Sequence, residues 1–219
     1  MRHPTARNIA IAGIAASLLL SACSAIPPQS VADPLGLHGQ QVQVAFPAAL
    51  SALAVTGEGA GTFVFDDDEA IAKLPLRPGL LTNRVRLADT VRLSGPEGID
   101  TISITDPVLT VRLWQGAETF EEAEDGAKAE VSLTTTATIV YGDPSCFATV
   151  CDFKLKSGPR TLGDVSLSGT ALSTVLDILG EEPSPNHGSA SLTLQADPDE
   201  LAGRTLRFTL EAAEGELRF

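Results

Sequence analysis

The stretch Val131-Ser132-Leu133-Thr134-Thr135-Thr136-Ala137-Thr138-Ile139-Val140-Tyr141 decides the fold class. Val131, Leu133, Thr135, Ala137, Ile139 and Tyr141 fall on every second position, with hydroxyl side chains between most of them. Successive side chains of a strand point to opposite faces, so a period of two describes a strand with one buried and one wet face. The alternation continues outward. Toward the N-terminus lie Leu109, Val111 and Leu113, then Ile102 and Ile104, Val91 and Leu93, Val85 and Leu87, Phe63 and Phe65, and Val42 and Val44. Toward the C-terminus lie Phe153 and Leu155, Val165 and Leu167, Leu192 and Leu194, and Leu206, Phe208 and Leu210. Turn signals stand between the runs at Ser94-Gly95-Pro96-Glu97-Gly98, Asp106-Pro107, Asp125-Gly126 and Asp197-Pro198-Asp199. About ten to twelve short strands so spaced predict an all-β protein, an antiparallel β-sandwich or a partly open barrel.

Helix is scarce. Thr170 to Leu179 carries Ala171, Leu172, Val175, Leu176 and Leu179 on one face, with Thr170 as a candidate N-cap and Gly180 past the end. A shorter turn is expected from Asp67-Asp68-Glu69 to before Pro75. The apolar face of Leu172, Val175, Leu176 and Leu179 has two readings, a plug for the open end of the sheet or the lining of a ligand cavity.

The first residues carry a different signal. Met1 to Asn8 holds Arg2 and Arg7 and no acid, Ile9 to Leu20 is almost wholly apolar, and Leu20-Ser21-Ala22-Cys23 follows. This is the pattern of a secretory signal, too short to span a bilayer as a stable helix. Its ending resembles the lipobox of bacterial lipoproteins. That resemblance implies cleavage before Cys23, acylation of the Cys23 thiol and attachment to a membrane outside the cytoplasm, the outer membrane where the host has one. Residues 1–22 are then a signal peptide, residues 23–39 a lipid-anchored tether containing Pro27, Pro28 and Pro34, and residues 40–219 a single β-rich domain.

Charge narrows the partners. The chain has 15 Lys and Arg against 28 Asp and Glu, a net charge of −13, and the leader holds none of the acids. Such a field repels phosphate backbones, so no nucleic-acid partner is expected, and it disfavours lying flat on anionic lipid. The membrane is expected to be reached through the lipid alone. Outside the cytoplasm Cys146 and Cys151, with four residues between them in a loop, are expected to form a disulfide. Their spacing is not Cys-x-x-Cys, so a redox role is the lesser alternative.

No catalytic set assembles in the sequence. His38 and His187 are expected in solvated loops, and neither Gly-x-Ser-x-Gly nor Ser-x-x-Lys occurs. No cofactor is expected. Asp66, Asp67, Asp68 and Glu69 are calcium candidates if the chain curls around an ion, as are the acids of Glu121 to Asp125. Neither run has the alternating spacing of a calcium loop, so solvated charge is the first expectation. Arg84, Arg86, Arg92, Arg112 and Arg207 sit on the wet faces of strands. They form either a basic stripe for a phosphate or carboxylate group, or one half of cross-strand ion pairs.

The terminal Phe219 resembles the sorting signal of outer-membrane barrels, but Gly215, Ala213 and Glu211 break the apolar alternation before it. One Trp and one Tyr cannot supply aromatic girdles, which rejects a spanning barrel. The expectation for function is a non-catalytic module that binds or scaffolds another envelope protein. The alternative is a carrier of an apolar or lipid ligand in a barrel cavity.

Overall fold

A computed structural model describes residues 27–48, 54–65, 76–95, 98–180 and 186–219. Twelve strands, all paired antiparallel, dominate it. They are β1 (Gln29–Val31), β2 (Gln41–Ala45), β3 (Val55–Phe65), β4 (Leu80–Leu87), β5 (Thr90–Ser94), β6 (Thr101–Gln115), β7 (Lys128–Thr134), β8 (Thr138–Phe147), β9 (Val150–Ser157), β10 (Thr161–Ser168), β11 (Asn186–Ala196) and β12 (Thr205–Arg218). Helix α1 (Gly169–Gly180) joins β10 to β11, and the single turn α2 (Pro198–Leu201) precedes β12.

The pairings close a circuit through β12, β2, β3, β11, β6, β8, β9 and β5, which returns to β12. The remaining strands extend one end of this ring and leave it partly open. There β1, β12, β4 and β10 form one wall, and β7, β6, β11 and β3 the other. The expected choice between sandwich and partly open barrel resolves into both, a closed ring at one end and two facing walls at the other. β10 and β7 meet across the gap without a ladder. The Thr135 hydroxyl donates to the Leu162 carbonyl there, and Gly163 sits beneath the Leu133 side chain. Helix α1 covers the open end, packing on β7, β10, β6 and β4.

Long strands bend where ring gives way to walls. Asp106-Pro107, expected to be a turn, lies inside the fifteen-residue β6 as a bulge, with Asp106 at φ +48° and the register against β11 shifted beside it. A bulge inserts an extra residue and bends the strand without ending it. The Val131–Tyr141 run breaks opposite that bulge. β7 pairs with residues 108–114 of β6 and β8 with residues 101–105, so one alternation serves two strands on the same edge. The backbone of Asp106 donates to Ala137, and that of Thr135 to Pro107, stitching the two irregularities together.

The interior is apolar and continuous. Val42, Leu87, Ile102, Ile139, Leu192 and Phe208 are all fully buried, from six different strands. At roughly 25 cal/mol per Å² of apolar surface removed from water, such a core is the main stabilising term. The wet faces carry the arginines. Arg84 forms two bonds to Asp164, at 2.8 and 3.2 Å, and Arg92 two to Asp152, at 2.7 and 3.2 Å. Arg112 bonds Glu130 at 2.6 Å, with Glu121 further out at 3.4 Å. For these three the cross-strand reading holds and the stripe does not.

The boundary expected between tether and domain at residues 39 and 40 moves toward the N-terminus. β1 pairs Gln29 to Val31 with Leu217 to Gly215 of β12. Beyond it, Leu35 and Leu37 are 1% and 0% exposed. The prolines mask a segment that folds, because β1 is an edge strand and its followers enter the core through a turn. Asp33, at φ +39°, holds that turn by accepting the backbone N–H groups of Leu37 and His38 at 3.0 and 2.7 Å.

Candidate functional site

A cleft of about 940 Å³ lies beside the C-terminal half of β12. A shift in register between Ala212 and Gly215 against β4 opens it. β1 and the Asp33–Gln40 turn bound one side through Ser30, Asp33 and His38, while β4 and β10 contribute Thr82, Arg84, Arg86 and Asp164. On β4 the cleft residues alternate with buried Leu81, Asn83, Val85 and Leu87, so period two dictates which side chains reach it.

Its charges are unevenly satisfied. Asp33 is held by the two backbone N–H groups and by the Asn83 amide at 3.4 Å. Asp164 is taken by Arg84, and the hydrogen bond from that guanidinium holds its carboxyl below the usual range. Glu216 bonds Arg218. Glu211 faces Arg86 across the ladder, but its carboxylate goes to Arg160, which also pairs with Asp89 at 3.0 Å. Arg86 is left over. It has no ion pair among the described residues, and its Nε is buried without a hydrogen-bond partner.

A second surface feature stands at the other end of β12. Cys146 and Cys151 oppose each other on β8 and β9 and are joined by a disulfide, as expected. The bridge closes the hairpin tip Phe147-Ala148-Thr149-Val150, from which Phe147 projects 88% exposed. Val150 opposes Ser94 of β5, which opposes Thr205 of β12. β1 opposes residues 215–217 of the same strand. The tip and the point where the chain enters the domain are thus separated by roughly 30 Å of β12.

The other candidate residues fall as follows. Leu172, Val175, Leu176 and Leu179 are buried in the main core together with Ile178, and the cleft is lined by other residues. Cys23 and the acids Asp66, Asp67, Asp68 and Glu69 lie outside the described residues. Glu121 and Asp125 are engaged with Arg112 and Lys128, and no group of three or more metal-ligating side chains occurs among the described residues. His38 is exposed, as expected. His187 is not in a loop. It stands on β11 and stacks on Trp114, centroids 5.6 Å apart, because the register places it beside that residue of β6. The cleft itself was hidden from sequence reasoning, since its residues come from four strands and a turn with no common motif. The one signal was the spacing of Arg84 and Arg86.

No family model matches the chain, and no curated protein matches it. Among solved structures, a carbohydrate-binding module that recognises mannan is similar over 90% of this chain and 85% of its own, at 8% identity and a TM-score of 0.19. The structure of the infectious bursal disease virus Gx strain is similar over 89% of this chain and 42% of its own, at 10% identity and a TM-score of 0.16. Scores so low carry no argument about ligand or ancestry.

Proposed function

We propose that this protein is a non-catalytic module of the bacterial cell envelope, tethered to a membrane by lipid on Cys23, that binds or scaffolds another envelope protein. One observation carries this reading: the division between inside and outside. The apolar side chains of the ring, the walls and α1 form one continuous core, so the barrel interior is occupied by the protein itself. A carrier would need that space for its ligand. Among the described residues, groups free to meet a partner lie on the surface, the Phe147 tip and the Arg86 cleft among them. Exposed aromatic anchors on rigid supports are the residues that dominate interface energetics. The strands also present ion pairs outward and apolar groups inward, the reverse of a barrel that faces lipid.

Fractionation of the native host tests the anchor. The wild-type chain is expected in the membrane fraction with lipid on Cys23, and Cys23→Ser in the soluble fraction. An unmodified soluble wild type overturns it. Co-purification tests the binding role: a specific envelope protein is expected with the wild type and lost with Phe147→Ala. A near-stoichiometric apolar ligand in native mass spectrometry would replace this reading with a carrier.

A further inference from the structure

We infer that the cleft beside β12 is a binding site for a phosphate or carboxylate group on a small polar molecule, with Arg86 as its principal ligand. The inference deepens the reading of the domain as a binding module and rests on it.

The allocation of charge on this wall is the argument. Each neighbouring acid already has partners: Asp164 has Arg84, Glu211 has Arg160, Glu216 has Arg218, and Asp33 has two backbone N–H groups and Asn83. Arg86 reaches the same cleft with none among the described residues. A guanidinium is charged at every accessible pH and presents a planar fork of donors that suits two oxygens of a carboxylate or phosphate. The Arg86 Nε is closed off from solvent, so an anion entering the cleft would meet the two terminal guanidinium nitrogens, which no protein group among the described residues holds, in a charge-assisted bidentate contact. Register enforces the vacancy. Arg86 lies opposite Glu211, but Arg160, from the turn before β10, takes that carboxylate.

The walls set the size and character of the rest of the molecule. A cleft of about 940 Å³ holds more than a bare ion. Ser30 and Thr82 offer hydroxyls beside the cation, and Ala32, Ala212 and Gly215 add no bulk. That combination suits a hydroxylated body carrying one anionic group, such as a polyol phosphate or an acidic sugar. A polyanion would meet the fields of Asp33, Asp164 and Glu216 and be repelled.

Isothermal titration of the full chain in neutral detergent at low salt tests this. The probes are glycerol 3-phosphate, standing for a headgroup or sugar phosphate, glucuronate for an acidic sugar, and neutral glycerol and glucose. Saturable one-to-one binding of at least one anionic probe is expected, with no saturation by the neutral ones. Arg86→Gln is expected to weaken it at least tenfold, Arg86→Lys less, and Arg207→Gln, on β12 away from the cleft, not at all. If Arg86→Gln does not fold, Thr82→Trp, which fills the cleft while keeping the arginine, is expected to abolish binding. The inference is overturned by heats of dilution alone for every anion, by equal affinity in Arg86→Gln or in Thr82→Trp, or by an equal loss in Arg207→Gln. Capture of an envelope protein through Phe147 does not depend on Arg86, so the two readings fail separately.

Discussion

Gly59 of β3 lies directly beneath the backbone carbonyl of Gln43 in β2: a Cβ at residue 59 would stand 1.7 Å from that oxygen. Gly61 has the same relation to Gln41, at 2.2 Å, and Gly57 to the ring of Phe46. The three glycines face one way on β3, so β2 can cross close over that strand and carry the sheet around the corner of the ring. Side chains there would hold the two backbones apart.

Gly59→Ala is therefore expected to destabilise the protein by at least the 1–3 kcal/mol or so typical of overpacking, because the obstacle is backbone and cannot rotate away. Gly126→Ala, where nothing lies within 4 Å of the added carbon, is the matched control and should shift stability little. Urea unfolding midpoints compare the two. Equal midpoints would mean that β2 is not seated on the glycine face.

Much of this architecture was legible in the sequence, and the exceptions have physical causes. Alternation of apolar residues located β2, β4, β5, β8 to β12 and both halves of β6, since each buries one face against the core. The first half of β3 was hidden because its inward face is glycine, which carries no hydrophobic signal. β1 was hidden by the prolines around it. Asp106-Pro107 resembles a chain reversal but bends a strand that continues, and local sequence alone does not distinguish a bulge from a turn. For the cleft, the arginines were visible but their partners were not. Which acid meets Arg84, and which is taken from Arg86, depends on register between β4, β10 and β12.

The revised domain boundary has its own test. A chain that begins at residue 27 should fold, and one that begins at residue 40 should not, because the latter lacks Leu35, Leu37 and the β1 ladder. Leu37→Ala should cost about 2–5 kcal/mol, as for other buried leucines, whereas Leu76→Ala, half exposed, should cost little. Circular dichroism melts and urea midpoints make the measurement. Folding of the residue-40 chain with unchanged midpoint would return this segment to the status of a tether.

Tyr141 is fully buried, and its hydroxyl has no hydrogen-bond partner among the described residues; burial pushes its pKa well above the usual value. A buried donor left unmade costs about 1–3 kcal/mol, while the ring remains a favourable core group. Tyr141→Phe removes the first and keeps the second, so it should leave stability unchanged or raise it by about 1 kcal/mol. A clear loss in a thermal melt would mean that an ordered water serves this hydroxyl.

Carboxylates of opposite sensitivity should shape the acid limb of the stability curve. Hydrogen bonds from Arg92 and Arg84 hold Asp152 and Asp164 below their ordinary value. Their stabilisation is fully present above the unfolded value of about 3.9 and is lost as pH falls through the folded values. Desolvation raises Glu200, despite the Ser103 N–H it accepts at 2.7 Å. For Glu200 the folded state holds its proton longer, so stability declines as pH rises from the unfolded value through the folded one. Both aspartate effects are modest because the pairs are exposed, and salt should shrink them. Carbon-13 titrations should find Asp152 and Asp164 depressed, and moved back up by Arg92→Gln and Arg84→Gln, with Glu200 elevated. Ordinary midpoints for both aspartates in the wild type would refute the pairing.

The short ladder between β1 and β12 also decides how the molecule bears a pull. The chain enters along β1, antiparallel to the end of β12, so tension on the N-terminal segment runs along the strand axis when the far end of the domain is held. All three residue pairs from Gln29↔Leu217 to Val31↔Gly215 are then sheared together, not peeled one at a time. Behind them, Leu35 and Leu37 act as a knot that must leave the core before the chain can pay out. A pull along this axis thus loads the whole ladder at once and finds no free end from which to unzip it.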